Sequence, residues 1–171
     1  MPKNELEKIF DNLPTLSYKE KLKSVENYLI SLSIDDENIF YDGKRAVYPD
    51  FCKYKHSFAE SIYVREMFMP KGTAGLSVIQ KYSYPFFLLT GRLATTTEEG
   101  IEELIAPVYF ISASGGAQRL VYAIEDCIIV NVHHNPTNTE DLEKLEKHLY
   151  AFSWEEYEDF VNKKTKDEKN K

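Results

Sequence analysis

The chain has 171 residues, 43% of them hydrophobic and 29% charged, and carries a formal net charge of −7. That length and balance predict one globular domain able to bury a core without staples, and the acidic excess argues against work that consists of holding nucleic-acid phosphates. The two cysteines, Cys52 and Cys127, are far apart and match no metal-ligand spacing, so both are expected as buried thiols in a reducing compartment.

The opening "MPKNELEKIF" lacks the apolar core of a signal peptide, and no run reaches the length of a membrane span. A cytoplasmic protein without membrane or nucleic-acid partners is expected. Residues 1–34 read as an N-terminal helical segment. A short helix from Asn4 to Leu13 is set off by Pro14 from a second, whose start is marked by Ser17 and Glu20 as a capping box. Leu22, Val25, Leu29 and Leu32 follow at helical spacing as one apolar stripe, which needs a surface to cover it.

Residues 37–134 read as a β domain. "SIYVREMFM" stops at Pro70-Lys71-Gly72 and "LSVIQKYSYPFFLLT" at Gly91. "RLATTT", "IEELIAP", "VYFISAS", "QRLVYAI" and "CIIVNVHH" follow between glycine-bearing and acidic turns. Turn signals at this interval are those of antiparallel sandwiches and barrels, and no segment has the length of a βαβ crossover helix. Twelve tyrosines and ten phenylalanines suit broad packed sheet faces.

Residues 137–161 return to helix. Thr137 with Glu140 reads as one capping box ahead of Leu142, Leu145 and Leu149. Ser153 with Glu156 reads as another, ahead of Trp154, Tyr157 and Phe160, which are expected to face inward. Residues 162–171 hold no apolar side chain and are expected as a solvated, mobile tail.

Candidate site residues come from two places. Gln80, Tyr82 and Tyr84 alternate along one run and share a face if the strand is regular, with Pro85 expected to end or bend it. His133 and His134 close another strand, so only one of them can look inward. His56 and His148 are expected at the surface, and "PKGTAG" follows no phosphate-loop spacing and reads as a turn.

The spacing in the β zone resembles the first cupin motif. Gly72, Val78, Gln80, Tyr84 and Gly91 fall in its frame without a gap, and "SGGAQR" places Gly116 and Arg119 in the glycine and histidine positions of the second motif. The segments "SIYVREMFMPKGT", "LLTGRLATTTEEGIEELIAPVYFIS", "RLVYAIEDCIIVNVH" and "NTEDLEKLE" together look like the small cupin-like proteins of tailed bacteriophages, over about residues 56–150. The resemblance implies a mainly β, RmlC-like antiparallel jelly roll flanked by N-terminal and C-terminal helices. It also implies that the four ligand positions of a metal cupin are Val78, Gln80, Tyr84 and Arg119 here. Valine cannot ligate, an amide is a poor ligand for transition metals, and a guanidinium repels them. No metal and no cofactor is therefore expected.

Two functions remain open at this stage. The first is a non-catalytic, metal-free phage protein, made in the host cytoplasm and acting as a virion or accessory component. It would be a homo-oligomer, a dimer or higher, with other phage structural proteins as partners. The alternative is a metal-independent sugar or nucleotide-sugar binder or epimerase. Its pocket would be lined by Gln80, Tyr82, Tyr84, Arg119, Tyr122 and His133, with His133 beside Tyr82 or Tyr122 as the proton-transfer pair. Such chemistry needs the imidazole within hydrogen-bond reach of the proton it moves. The first function is preferred, so no catalytic residue is assigned and an enzyme is not expected.

Overall fold

The computed structural model describes residues 15–35, 40–41, 46–47, 52–112 and 115–169. The expected helix from Asn4 to Leu13 lies outside them. Helix α1 (Tyr18–Asp35) starts where the capping box places it, with the Ser17 amide and hydroxyl both donating to Glu20 Oε2, at 2.8 and 2.6 Å. Its stripe of Leu22, Val25 and Leu29 is buried against Ala74, Leu76 and Leu120, while the side chain of Leu32 is outside the described set. Burying three such side chains stabilises this docking by about 1.5–3 kcal/mol each.

The strands are β1 (Phe40–Tyr41), β2 (Ala46–Val47), β3 (Lys53–Ala59), β4 (Ile62–Met69), β5 (Ala74–Leu76), β6 (Ile79–Gln80), β7 (Tyr84–Thr90), β8 (Arg92–Thr97), β9 (Gly100–Ile105), β10 (Val108–Ser112), β11 (Leu120–Ala123), β12 (Cys127–His134) and β13 (Tyr150–Ala151). A five-stranded sheet runs β10-β7-β12-β4-β3 and a four-stranded sheet runs β5-β11-β8-β9. Among the described residues the ladders are antiparallel, and they pair β4 with β12, β5 with β11, β7 with β10 and β8 with β9. Folding a long antiparallel hairpin over on itself gives this nested order, which defines a jelly roll. β3 extends the larger sheet beyond β4, and the short ribbon of β6 with β13 stands outside both sheets.

Alternation along each strand puts one phase between the sheets. Met69, Leu88, Leu93, Leu104, Ala123, Cys127 and Ile129 are buried there, while the outward phase of the smaller sheet, Ala74, Leu76 and Leu120, lies under α1. Tight turns hold the order. Gly91 has φ +83°, and a Cβ there would stand 2.2 Å from the Asp126 carbonyl oxygen, so only glycine fits.

Four expectations need correction. Helix α2 (Leu142–Leu149) is capped by Asp141, which accepts from the amides of Glu143 and Lys144, and not by Thr137. An aspartate directly before the first turn competes better than a threonine several residues earlier. Helix α3 (Trp154–Lys169) continues through the stretch expected as a mobile tail, with its side chains from Val161 to Lys166 exposed. Pro85 lies inside β7, opposite Ile111; the chain breaks earlier, over Lys81–Ser83. Cys52 is half-buried, whereas Cys127 is fully buried as expected.

Candidate functional site

The inward phase changes character along the barrel. On β12 it runs Cys127, Ile129, Asn131, His133, and on β4 Met69, Met67, Arg65, Tyr63, with Asn131 opposite Arg65 and His133 opposite Tyr63. One end is therefore aliphatic and the other polar. His133 is 4% exposed and ringed by aromatic neighbours, with centroids 5.9 Å away at Tyr63, 5.0 Å at Tyr84 and 5.8 Å at Tyr150. Burial, aided by the Arg65 cation, pushes its pKa down to about 3, so the ring is neutral at physiological pH. The Arg65 guanidinium lies 5.8 Å from the Tyr54 ring centroid and 5.5 Å from that of Tyr150.

Arg65 Nε, Asn131 Oδ1 and His133 Nε2 are buried without a hydrogen-bond partner. An unsatisfied buried group costs about 1–3 kcal/mol, so neighbouring ones mark a place that favours water or a polar ligand. Tyr84, whose hydroxyl is held protonated by burial, lies 5.0 Å between ring centroids from His133 and stands opposite Ser112 in the β7–β10 ladder.

Beside that end lies a cleft of about 800 Å³ bounded by α1, α3, the turn after β8 and the loop ahead of β11. Arg119, directly ahead of β11, lines it. Its Nη1 donates to the Thr96 carbonyl at 3.3 Å, its guanidinium stands 5.7 Å over the Phe110 ring, and its Nε is buried without a partner. Tyr18, Trp154 and Tyr157 supply aromatic walls, with Lys19 and Glu98 at the rim. The Tyr18 hydroxyl is anchored 2.9 Å from the Gln118 carbonyl oxygen, and Lys19 ties α1 to α3 through Glu158 at 2.8 Å. Gly116, at φ +90°, lets the loop lie under the Tyr157 ring, which an added Cβ would meet at 3.0 Å.

The six residues singled out from the sequence separate. Tyr84, Arg119 and His133 join the polar interior and its mouth. Gln80 is 2% exposed, and its backbone ties β6 to the loop through Ala117 and Gly116. Tyr82 does not share their face, because the chain leaves strand geometry at Lys81–Ser83. It packs outside on His134, His148 and Phe160. Tyr122 has the opposite phase to Arg119 and lies under α1, away from His133, which removes both proposed proton-transfer pairs. His56 is exposed as expected, but His148 is half-buried and bonded to His134.

Arg65 and Asn131 are the site residues that sequence reasoning missed. Their signal was weak, since β4 and β12 carry apolar residues in both phases and show no alternation that marks the inner one. Tyr18, Trp154 and Tyr157 carried no comparable signal, because their meeting is decided by helix docking. Val78, Gln80, Tyr84 and Arg119 offer no imidazole or carboxylate, and among the described residues no group of three or more His, Cys, Asp or Glu could hold a metal.

Comparison with known proteins yields structural likeness alone. No family model and no curated sequence matches the chain. An HTH_3-family transcriptional regulator from Vibrio cholerae is 16% identical with a TM-score of 0.43, over 55% of this chain, which spans only 57% of that one. A cupin-2 domain-containing protein from Shewanella frigidimarina is 12% identical, TM-score 0.41, over 48% of this chain and 80% of that one. A cupin domain from Bordetella pertussis is 19% identical, TM-score 0.40, over 49% and 93%. The chain has a mainly β, cupin-like jelly-roll fold, and its own strand order defines that fold. No described helix is long and apolar enough to cross a membrane.

Proposed function

We propose that this is a metal-independent, non-catalytic binding protein whose cleft takes a ring-bearing ligand with one anionic group, of the sugar-phosphate or nucleotide-sugar class. The observation that carries this reading is the roughly 800 Å³ cleft with Arg119 at its floor and three aromatic rings around it. A guanidinium with an unpaired Nε suits an oxyanion, and flat aromatic faces suit a sugar ring or base. The substituted ligand positions Val78, Gln80, Tyr84 and Arg119 support a metal-free site. A thermal-shift series with glucose 1-phosphate, galacturonate and UDP-glucose tests it. One probe should raise the melting temperature of the wild type and leave Arg119→Ala unmoved. Silence from all three at millimolar concentration, with no retained mass in native mass spectrometry, would sink the reading.

A structural role as a phage-encoded virion or accessory component is the second reading, favoured by one surface. The outward phase of the five-stranded sheet carries Tyr109 and Ile111, exposed at 72% and 58%, with Leu89, Phe87, Ile128, Val130, Val132, Val64 and Phe68. Four strands of this length, β10, β7, β12 and β4, present on the order of 400 Å² in projection, toward the scale of a standard patch of about 800 Å² accessible area per partner. The occupant proposed is a second copy, because this apolar patch, bordered by Glu66 and by Lys53 and Lys55 of β3, can meet its own image about a two-fold axis. Wild type should weigh as a dimer by light scattering at micromolar concentration, and Val130→Asp as a monomer. A monomeric wild type would leave this reading without support.

A further inference from the structure

Away from the cleft, the end of β12 and the last turn of α2 bring two imidazoles together. His134 Nε2 and His148 Nε2 are 2.9 Å apart, with their rings inclined at 71°. Tyr82 packs edge-on against His134 at 4.3 Å between centroids and lies 5.2 Å from His148, which limits how either ring can turn. As it stands the pair is one hydrogen bond, with one neutral imidazole donating and the other accepting. When the donor ring carries its proton on Nδ1 instead, both Nε2 atoms present lone pairs that can serve a cation. Metal–imidazole bonds of about 2.05 Å to nitrogens 2.9 Å apart subtend an angle of about 90° at the ion, whereas a tetrahedral ion needs a separation of about 3.4 Å. An angle of 90° is the cis geometry of a square-planar or tetragonal site, which copper(II) and nickel(II) prefer.

We propose that His134 and His148 form a two-imidazole clamp for copper(II) or nickel(II), staple β12 to α2, and leave the remaining coordination positions to water. Partial burial lowers the pKa of both rings, so protons compete little with metal at neutral pH. Lys81 is a neighbouring cation, and after burial and His134 it also depresses His148. Its ammonium is turned away to the Lys147 carbonyl at 2.9 Å and to Glu156 at 2.9 Å. This clamp is separate from the jelly-roll interior and independent of the ligand proposed for the cleft.

The test is titration of chelator-stripped full-length protein with copper(II), nickel(II) and zinc(II) chlorides by calorimetry at pH 7.5, with electron paramagnetic resonance of the copper form. One copper per chain with two imidazole nitrogens is expected, with affinity falling from copper to nickel to zinc. Losing one arm of a chelate should weaken binding by roughly 100-fold or more, so His134→Gln and His148→Ala should each show that loss. His56→Ala should bind as wild type does. His134→Gln keeps a hydrogen-bonding side chain, and its melting temperature without metal serves as the check on folding. Copper affinity in the His134 and His148 variants equal to that of the wild type, or a spectrum with a single nitrogen ligand, would overturn the clamp.

Discussion

The two ends of the barrel interior are built on the same strands and behave as different materials. At one end Leu88, Leu93, Cys127 and Ile129 are at most 2% exposed and hold the sheets together by close packing alone. At the other, two residues further along β12 and β4, the same inward phase holds Asn131, His133, Arg65 and Tyr63, with three buried polar atoms left unpaired. Close packing stabilises, while unpaired buried polar groups cost free energy. The polar end is therefore the part of the core that stability does not explain, and it adjoins the cleft.

The largest effect that would break this comparison is at the aliphatic end. Leu88→Ala should lower unfolding free energy by about 2–5 kcal/mol in urea denaturation, since Leu88 is fully buried among large neighbours. A loss below about 1 kcal/mol would mean that this end is not the close-packed one.

The polar end should show itself in pH dependence. The folded pKa of His133 is about 3, below the ordinary value of 6.5, so the unfolded chain binds more protons between those two pH values. Its contribution to stability is complete above pH 6.5 and is lost as pH falls toward 3, by up to about 1.4 kcal/mol per pH unit. His133→Phe should flatten that slope relative to wild type in unfolding measured from pH 7 to 4. Parallel curves would place the imidazole in contact with solvent.

Gly116→Ala sharpens the contrast at the cleft. The new Cβ meets Tyr157 at 3.0 Å and the backbone is held at φ +90°, so a loss of about 1–3 kcal/mol is expected, with weaker binding of whichever probe the cleft takes. The smallest effect is at α2, which brings Leu145 and Leu149 against Tyr63 and Val78. Asp141→Ala removes its cap and should cost about 1 kcal/mol by thermal unfolding. A neutral result would mean that α2 is held by its buried leucines alone.

Much of the fold was legible because its signals are local. The Ser17–Glu20 box, the Leu22, Val25, Leu29 stripe and the runs from "RLATTT" to "CIIVNVHH" became α1 and β8 to β12 as read, since capping and alternation depend on near neighbours. The site was legible in part. Tyr84, Arg119 and His133 were named, yet Tyr82 and Tyr122 were assigned to the wrong surroundings. The bend at Lys81–Ser83 takes Tyr82 out of the strand while Gln80 and Tyr84 on either side of it stay buried, and β11 is four residues long, so its neighbours must decide which face is inner.

By itself the sequence determined the mainly β class, the helices on either side of it, the capping of α1 and the opposite phases of His133 and His134. Each of these follows from residues a few positions apart. The tertiary structure alone decided that the strands nest as a jelly roll, that Arg65 meets Asn131 beneath a tyrosine cage, that Tyr18, Trp154 and Tyr157 wall one cleft, and that His134 reaches His148. Those meetings join residues far apart in the chain, and they depend on sheet register and helix docking, which local periodicity does not encode.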